Sequence, residues 1–377
     1  MRRPTRSLQV GFTTMALLLT MWSGLAGARS ADTPLQLSQP HTLKWRYASD
    51  QTTNFTPAHD GKTVFVPLAG GTLLALNVMN GQLRWKAEAG GEVSAAPAVD
   101  EQIVYVATEF PGSENTGTRG TLRALSKETG ITLWLKTLQA PIRGNLIAGP
   151  TALYAGATNG SVYAFDKTTG RSIWVNQYAD GFASEPTLTG GRLYIGSIGG
   201  WLLALNQATG DLLWSYRARG PIQGSIAVTT DGVYFGSGDG YVYAFNEKKK
   251  KPRWKRRTGA GVQAVVASEH GVLASSLDNF AYLLSKNGSV LWRQLLPGRV
   301  PARPLMAVDG ALFTPLSTDS AIVLSLKNGK PLNTMPIGEE NSNSAAPIAA
   351  NEMIVLTTPH AVLAFSGAAA KALNKIK

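Results

Sequence analysis

Seven of the nine tryptophans stand at positions 45, 85, 134, 174, 214, 254 and 292, separated by 40, 49, 40, 40, 40 and 38 residues. Four of them close near-copies of one phrase, "MNGQLRW", "ETGITLW", "TTGRSIW" and "ATGDLLW". A catalytic motif is needed once, so a phrase repeated at nearly constant spacing is architecture. Its period falls in the range of propeller blades. One further unit ends near Asn333 without its tryptophan.

Each unit reads as four short strands. Residues 184 to 214 run "SEPTLT", a Gly-Gly turn, "RLYIGS", a second Gly-Gly turn, "WLLALN", a loop "QATG" and "DLLWSY". The strands are rich in Val, Ile, Leu, Tyr and Phe and are closed by Gly, Asn, Asp or Thr, the grammar of antiparallel hairpins. Asn77, Asp166, Asn206 and Asn246 can fold their side chains back onto the loop, and Gly81, Gly130, Gly170 and Gly210 tolerate positive φ there. Four residues after the glycine position the indole projects from the outer strand. We expect Trp85, Trp134, Trp174, Trp214, Trp254 and Trp292 to dock neighbouring blades. Each buries on the order of 200 Å², a gross gain of several kcal/mol before entropy is subtracted. Ala75, Ala124, Ala164, Ala204 and Ala244 repeat as well, and small residues there let adjacent sheets approach.

The two ends of the array are complementary. The last unit, "AAPIAANEMIVLTTPHAVLAFS", supplies three strands, and "HTLKWRY" near the start is a lone outer strand. Pairing Trp45 with the segment around Phe365 completes an eighth blade and removes the open edges of an unclosed array. The expected fold is all-β: one eight-bladed propeller of four-stranded antiparallel blades over residues 41–366, closed by its N- and C-terminal strands. Arg2, Arg3 and Arg6 before an apolar run from about Val10 to Trp22, then "GLAGARSA", read as a signal peptide over 1–30, cleaved near Ala28 or Ser30. Residues 31–40 are expected as a short linker and 367–377 as a basic, helix-prone tail. The expected location is periplasmic or secreted.

Composition narrows the chemistry. The chain has no cysteine, which excludes disulfides, thiolate nucleophiles and Cys-ligated zinc. His41, His59, His270 and His360 are scattered, and no Gly-x-Ser-x-Gly elbow, P-loop or His-Glu-x-x-His phrase occurs. Neither a metal site nor a cofactor is expected from these residues.

The "ALxxxTGxxxW" phrase with a preceding "Y-x-G-x-x-x-G" resembles the pyrroloquinoline-quinone-type propeller repeat over nearly all of residues 41–366. Within that superfamily the chain most resembles the propeller subunit of the outer-membrane β-barrel assembly machinery. The resemblance implies a non-enzymatic exported scaffold, expected to be monomeric within a complex, whose partners are envelope proteins and the barrel assembly machinery. Members are usually lipoproteins, whereas Ala28 stands where a lipobox places its cysteine, so no acyl anchor is expected. "GTLRAL" at 120 to 125 echoes only part of a partner-docking motif and reads better as a hairpin strand.

Quinone chemistry is the alternative that the repeat's name raises, and a small-ligand or glycan sensor of the envelope is another. Enzymes of the quinone type use a central aspartate base and a calcium site, often with a vicinal cysteine pair that this chain lacks. The loops feeding the innermost strands supply Asn54, Ser94, Arg143, Glu185, Gln223, Gln263 and Arg303 as candidate channel or partner-surface residues. Glu185 is the main acid, with Asp180, Glu339 and Glu340 farther out. This set suits hydrogen bonding to an anion or a peptide backbone better than base-catalysed hydride transfer.

Two interruptions break the repeat. In the fifth blade "EKKKKPRWKRR" replaces the usual loop and carries eight cations, Lys248, Lys249, Lys250, Lys251, Arg253, Lys255, Arg256 and Arg257. Such a run attracts anionic lipid or lipopolysaccharide; a solvated edge that discourages aggregation is the plainer reading, and nucleic acid is not an expected partner. The second, "TEFPGSENTGTRG" from 108 to 120, is expected as an exposed, mobile loop.

Overall fold

The computed structural model describes residues 35–112 and 117–367. The expected signal peptide, the helix-prone tail beyond Gly367 and the centre of the second interruption lie outside the described residues. Eight antiparallel sheets form an eight-bladed propeller, and in the first seven blades the innermost strand comes first in sequence. Blades 1 to 7 are continuous in sequence: blade 1 comprises Ala58–His59, Thr63–Leu68, Thr72–Asn77 and Leu83–Glu88, and blade 5 comprises Ile226–Thr229, Gly232–Ser237, Tyr241–Asn246 and Lys251–Arg257. Among the described residues there is no α-helix, and no helix is long and apolar enough to cross a membrane.

Blade 8 joins the two ends of the described chain. Its inner strands are Ile348–Ala350, Met353–Thr358 and Ala361–Gly367, and its outer strand is His41–Ala48. The register runs from His41 opposite Gly367 to Ala48 opposite Ala361, with a bulge between Leu43 and Trp45. Sheet edges that an open array exposes are thereby paired.

The repeated phrase acts between blades. Trp85 Nε1 donates to the Lys127 carbonyl of the next blade at 2.8 Å, Trp134 to Lys167 at 2.9 Å, Trp174 to Gln207 at 3.2 Å, Trp254 to Lys286 at 2.8 Å and Trp292 to Leu326 at 2.9 Å. Trp45 does the same across the closure, to Val78 at 2.8 Å. Each of these indoles also lies flat on the turn glycine of the following blade. A Cβ built on Gly81, Gly130, Gly170, Gly210, Gly288 or Gly329 would stand 2.6 or 2.7 Å from indole carbons. The glycine is thus required twice, by a φ between 69° and 81° and by the ring against it.

In six blades the indole faces an alanine across its own sheet, as Trp85 faces Ala75 and Trp174 faces Ala164, whereas in blade 6 Trp292 faces Leu283. In each of these outer strands a bulge falls immediately before the tryptophan, where such an irregularity can re-aim a side chain. Phe65, Tyr105, Tyr154, Tyr194 and Tyr234 recur on the second strands and pack on the same-blade indole with centroids 5.8 to 6.1 Å apart.

Three lysines complete the joints. Lys127, Lys167 and Lys286, whose carbonyls receive the indoles, extend their ammonium groups back to Asp60, Asp100 and Asp231 of the preceding blade at 3.1, 3.1 and 2.9 Å. Blade 7 has Asn333 at the tryptophan position, and its amide donates to the Leu37 and Gln39 carbonyls at 2.6 and 2.8 Å. Leu37 lies within the stretch expected as a linker, yet it is fully buried against Leu312, Met335, Leu363 and Phe365.

The second interruption differs from the expected loop. Strands Ile103–Phe110 and Arg119–Ser126 continue into it, pairing Thr108 with Thr121, Glu109 with Gly120 and Phe110 with Arg119. The Thr108 and Thr121 hydroxyls hydrogen-bond at 2.5 Å, and the ladder extends through these β-branched residues as a ribbon.

Candidate functional site

The innermost strands line the central channel, and their laterally bonded ends narrow it. The Asn145 amide donates to the Ser184 carbonyl at 3.1 Å, and the Glu185 amide to the Gly224 carbonyl at 3.4 Å. Ser225 Oγ donates to Val265 O at 2.9 Å and Thr187 Oγ1 to Ile226 O at 2.7 Å. Glycine permits this approach: a Cβ on Gly144 would meet Ser184 O at 2.4 Å, and one on Gly224 would meet Gln263 O at 1.6 Å. On the closing side Ser344 N donates to Asn54 Oδ1 at 2.9 Å and Asn343 Nδ2 to Thr53 O at 2.7 Å.

The constriction holds a cavity of about 120 Å³ lined by Asn54, Asn145, Glu185, Gln223, Gln263 and Arg303 among others. A wider section of about 470 Å³ shares Asn145, Glu185 and Arg303 and is walled by Ile147, Thr187, Leu188, Val228 and Ala267. Glu185 and Arg303, from blades 4 and 7, face each other across the cavity with Oε2 and Nε 3.6 Å apart. Their charges offset, and the rest of the constriction is mainly amide and hydroxyl side chains, with Phe55, Pro301 and three alanines beside them.

Of the seven candidate channel residues, five meet in this cavity. Arg143 is drawn away: its guanidinium takes both carboxylate oxygens of Glu109 at 2.9 and 3.2 Å, on the ribbon that lengthens blade 2. That contact raises the Arg143 pKa, with burial opposing. Ser94 is buried and its Oγ has no hydrogen-bond partner among the described residues. Glu339 lies elsewhere, bound by His360 Nδ1 at 2.6 Å and by the Thr358 hydroxyl. The sequence reading missed Asn145, which stands 40 residues before Glu185, one repeat away in the same column.

These residues do not fit a quinone with calcium. Calcium takes about six to eight oxygen ligands, carboxylates prominent among them, and the channel lining offers one carboxylate, already on an arginine. Among the described residues no three His, Cys, Asp or Glu side chains gather as a metal site.

The basic run occupies the perimeter of blade 5. All eight cations are exposed, and none forms a salt bridge among the described residues. Lys255 lies over the Tyr241 ring at 4.7 Å, Arg253 over Tyr234 at 5.6 Å, and Arg256 Nε donates to Gly288 O at 2.7 Å. Lys250 occupies the place of the turn glycine with a φ of 49°. Without a glycine to rest on, Trp214 stacks on Phe245 at 4.6 Å and donates to Glu247 Oε1 at 3.1 Å instead of to a carbonyl. Glu247 also takes Arg192 Nη1 at 3.0 Å and the Tyr194 hydroxyl at 2.7 Å. Burial, with Glu247 adding to it, raises the Tyr194 pKa to about 12.

A family model described as "Outer membrane protein assembly factor BamB" matches the chain in four overlapping stretches, residues 36–158, 118–227, 158–286 and 221–373. The outer membrane protein assembly factor BamB of Shewanella oneidensis is 34% identical over 96 residues, 25% of this chain and 21% of that relative. The chain thus matches well under half the length of this curated relative. Among solved structures, BamB from Moraxella catarrhalis superposes with a TM-score of 0.73 at 16% identity, over 87% of this chain and 100% of that one. Quinohemoprotein alcohol dehydrogenase from Comamonas testosteroni superposes with a TM-score of 0.69 at 12% identity, over 88% of this chain and 77% of that one. At these identities the two structural likenesses show the propeller fold alone. The family model, by contrast, matches residues 36–373 in these overlapping stretches, and the chain belongs to the family of the outer membrane protein assembly factor BamB.

Proposed function

We propose that this chain is a non-enzymatic scaffold of the cell envelope that presents its propeller to protein partners during outer-membrane protein assembly. The family match over residues 36–373 carries the reading. The channel supports it: one offset Glu185–Arg303 pair among amides offers no unpaired base, and the lining does not fit the quinone. Rings rigidified by repeated indole joints suit a docking platform, because little order is lost when a partner binds. On this reading the protein works in the periplasm.

Crosslinking in the intact envelope, followed by identification of the trapped proteins, tests the proposal. Recovery of the outer-membrane barrel-assembly proteins is the expected result. Recovery of none of them, together with thermal stabilisation on adding pyrroloquinoline quinone and calcium, would overturn it in favour of a quinoprotein.

A further inference from the structure

Eight of the 36 basic residues of the chain fall between Lys248 and Arg257, on the outer strand of blade 5 and the turn before it. The one acid in this run, Glu247, is turned toward blade 4, where Arg192, Tyr194 and Trp214 hold it. It is therefore taken up away from the lysines beside it, and the row makes no salt bridge; Asp231, the acid that acts on Arg253, is already paired with Lys286. Such charge repels itself, and the fold accepts in addition a lysine at the left-handed φ of 49° where six sister turns carry glycine.

The strand is an outer edge, and the row spans seven strand residues, roughly 23 Å at 3.3 Å per residue. A cavity of about 270 Å³ beside Tyr234 takes none of the row's residues, and Asp231 and Glu269 in its lining make it no site for a discrete anion. On either side the perimeter exposes large apolar side chains, Leu212 and Leu213 on blade 4 and Val290, Leu291 and Leu295 on blade 6. Arg256 is tied to blade 6 through Gly288, two residues before Val290, so cations and apolar groups adjoin. An extended cationic row bordered by apolar side chains matches a broad anionic interface with an apolar layer beneath it.

We propose that the edge of blade 5 docks the propeller on an anionic phospholipid bilayer, with the lysines and arginines at the headgroup phosphates and the flanking leucines and valine at the interface. The inference stands independently of the scaffold role. Salt weakens the attraction, because the screening length falls from about 10 Å at 0.1 M to about 3 Å at 1 M.

The test is flotation of the protein, purified from its native envelope, with vesicles of equimolar phosphatidylglycerol and phosphatidylcholine, with vesicles of phosphatidylcholine alone, and separately a binding assay with polyglutamate. The triple variant Lys249→Glu, Lys251→Glu, Arg257→Glu reverses three cations of the row that make no side-chain hydrogen bond. The control Lys44→Glu, Arg46→Glu, Lys86→Glu makes the same change of net charge on blades 8 and 1, and circular dichroism shows whether each variant is folded. The expected result is partition onto the anionic vesicles only, lost at 1 M salt, reduced about tenfold or more in the blade 5 variant and largely kept in the control. Equal partition of parent and blade 5 variant, an equal loss in the control, or binding to polyglutamate without binding to vesicles would each overturn the proposal. Should the triple variant not fold, the single variant Lys249→Glu replaces it, with about a fivefold loss expected and an undiminished partition refuting.

Discussion

Trp134 of blade 2 lies flat against Gly170 of blade 3, so close that a Cβ on Gly170 would stand 2.6 Å from the indole Cε3. The glycine and tryptophan of one phrase therefore never meet. Six of the indoles use the glycine of the next phrase, 36 residues farther on for this pair, and the repeat is a chain of links between blades. Gly170→Ala places a methyl group in the indole and a non-glycine residue at a φ of 69°. The expected cost is about 2–4 kcal/mol, read as a shift of the urea midpoint. Gly190→Ala is the control, since its φ is 57° and nothing stands within 4 Å of its Cβ, and about 1 kcal/mol is expected there. Equal costs for the two variants would show that the indole contact contributes nothing.

How far the sequence revealed this depends on the range of each interaction. The blade count, the strand order and the closing pair of strands were legible because the turn residues and apolar alternation that set them are local and repeated. The receiver of each indole was not, because it depends on the angle between sheets. In the channel, Glu185 and Arg303 were legible as polar residues before inner strands. Asn145 was passed over although it shares their column, and Arg143 was placed inward although Glu109 claims it. Glu109 reaches Arg143 only because the ribbon of blade 2 extends past Thr108, where the glycine-rich composition reads as loop. The inward turn of Glu247 was equally hidden, since its three partners are 33 to 55 residues away in sequence.

The lysine joints give the ring an acid sensitivity of known sign. Burial alone would raise the carboxyl groups of Asp60 and Asp100; hydrogen bonds from the following amides and the lysines Lys127 and Lys167 outweigh it and hold both below the ordinary value of 3.8. A depressed folded-state value means that the stabilisation is fully present above the unfolded value and is lost as pH falls through the folded one. The double variant Asp60→Asn, Asp100→Asn should lower stability at pH 7 by about 1 kcal/mol per site. Its melting temperature should then approach that of the parent as pH falls from 5 to about 2, where the parent carboxylates protonate. Parallel melting profiles across that range would mean that neither aspartate couples folding to protonation.

Lys250 presents the opposite case from Gly170. Its backbone adopts the left-handed conformation at φ 49°, which costs an L-residue about 1–2 kcal/mol, and Trp214 has already moved onto Phe245, so no indole waits for a glycine there. Lys250→Gly relieves the strain and removes one uncompensated charge, while the greater freedom of glycine in the unfolded chain returns about 0.5–1 kcal/mol. The net expectation is a gain of about 0.5–1 kcal/mol, measured as a raised urea midpoint with an unchanged slope. A lowered midpoint would show that the lysine side chain makes a stabilising contact at this turn. The predicted gain has a structural corollary: a substitution that stabilises the fold is available at this one turn, and the chain keeps lysine there, adding a cation to the row instead.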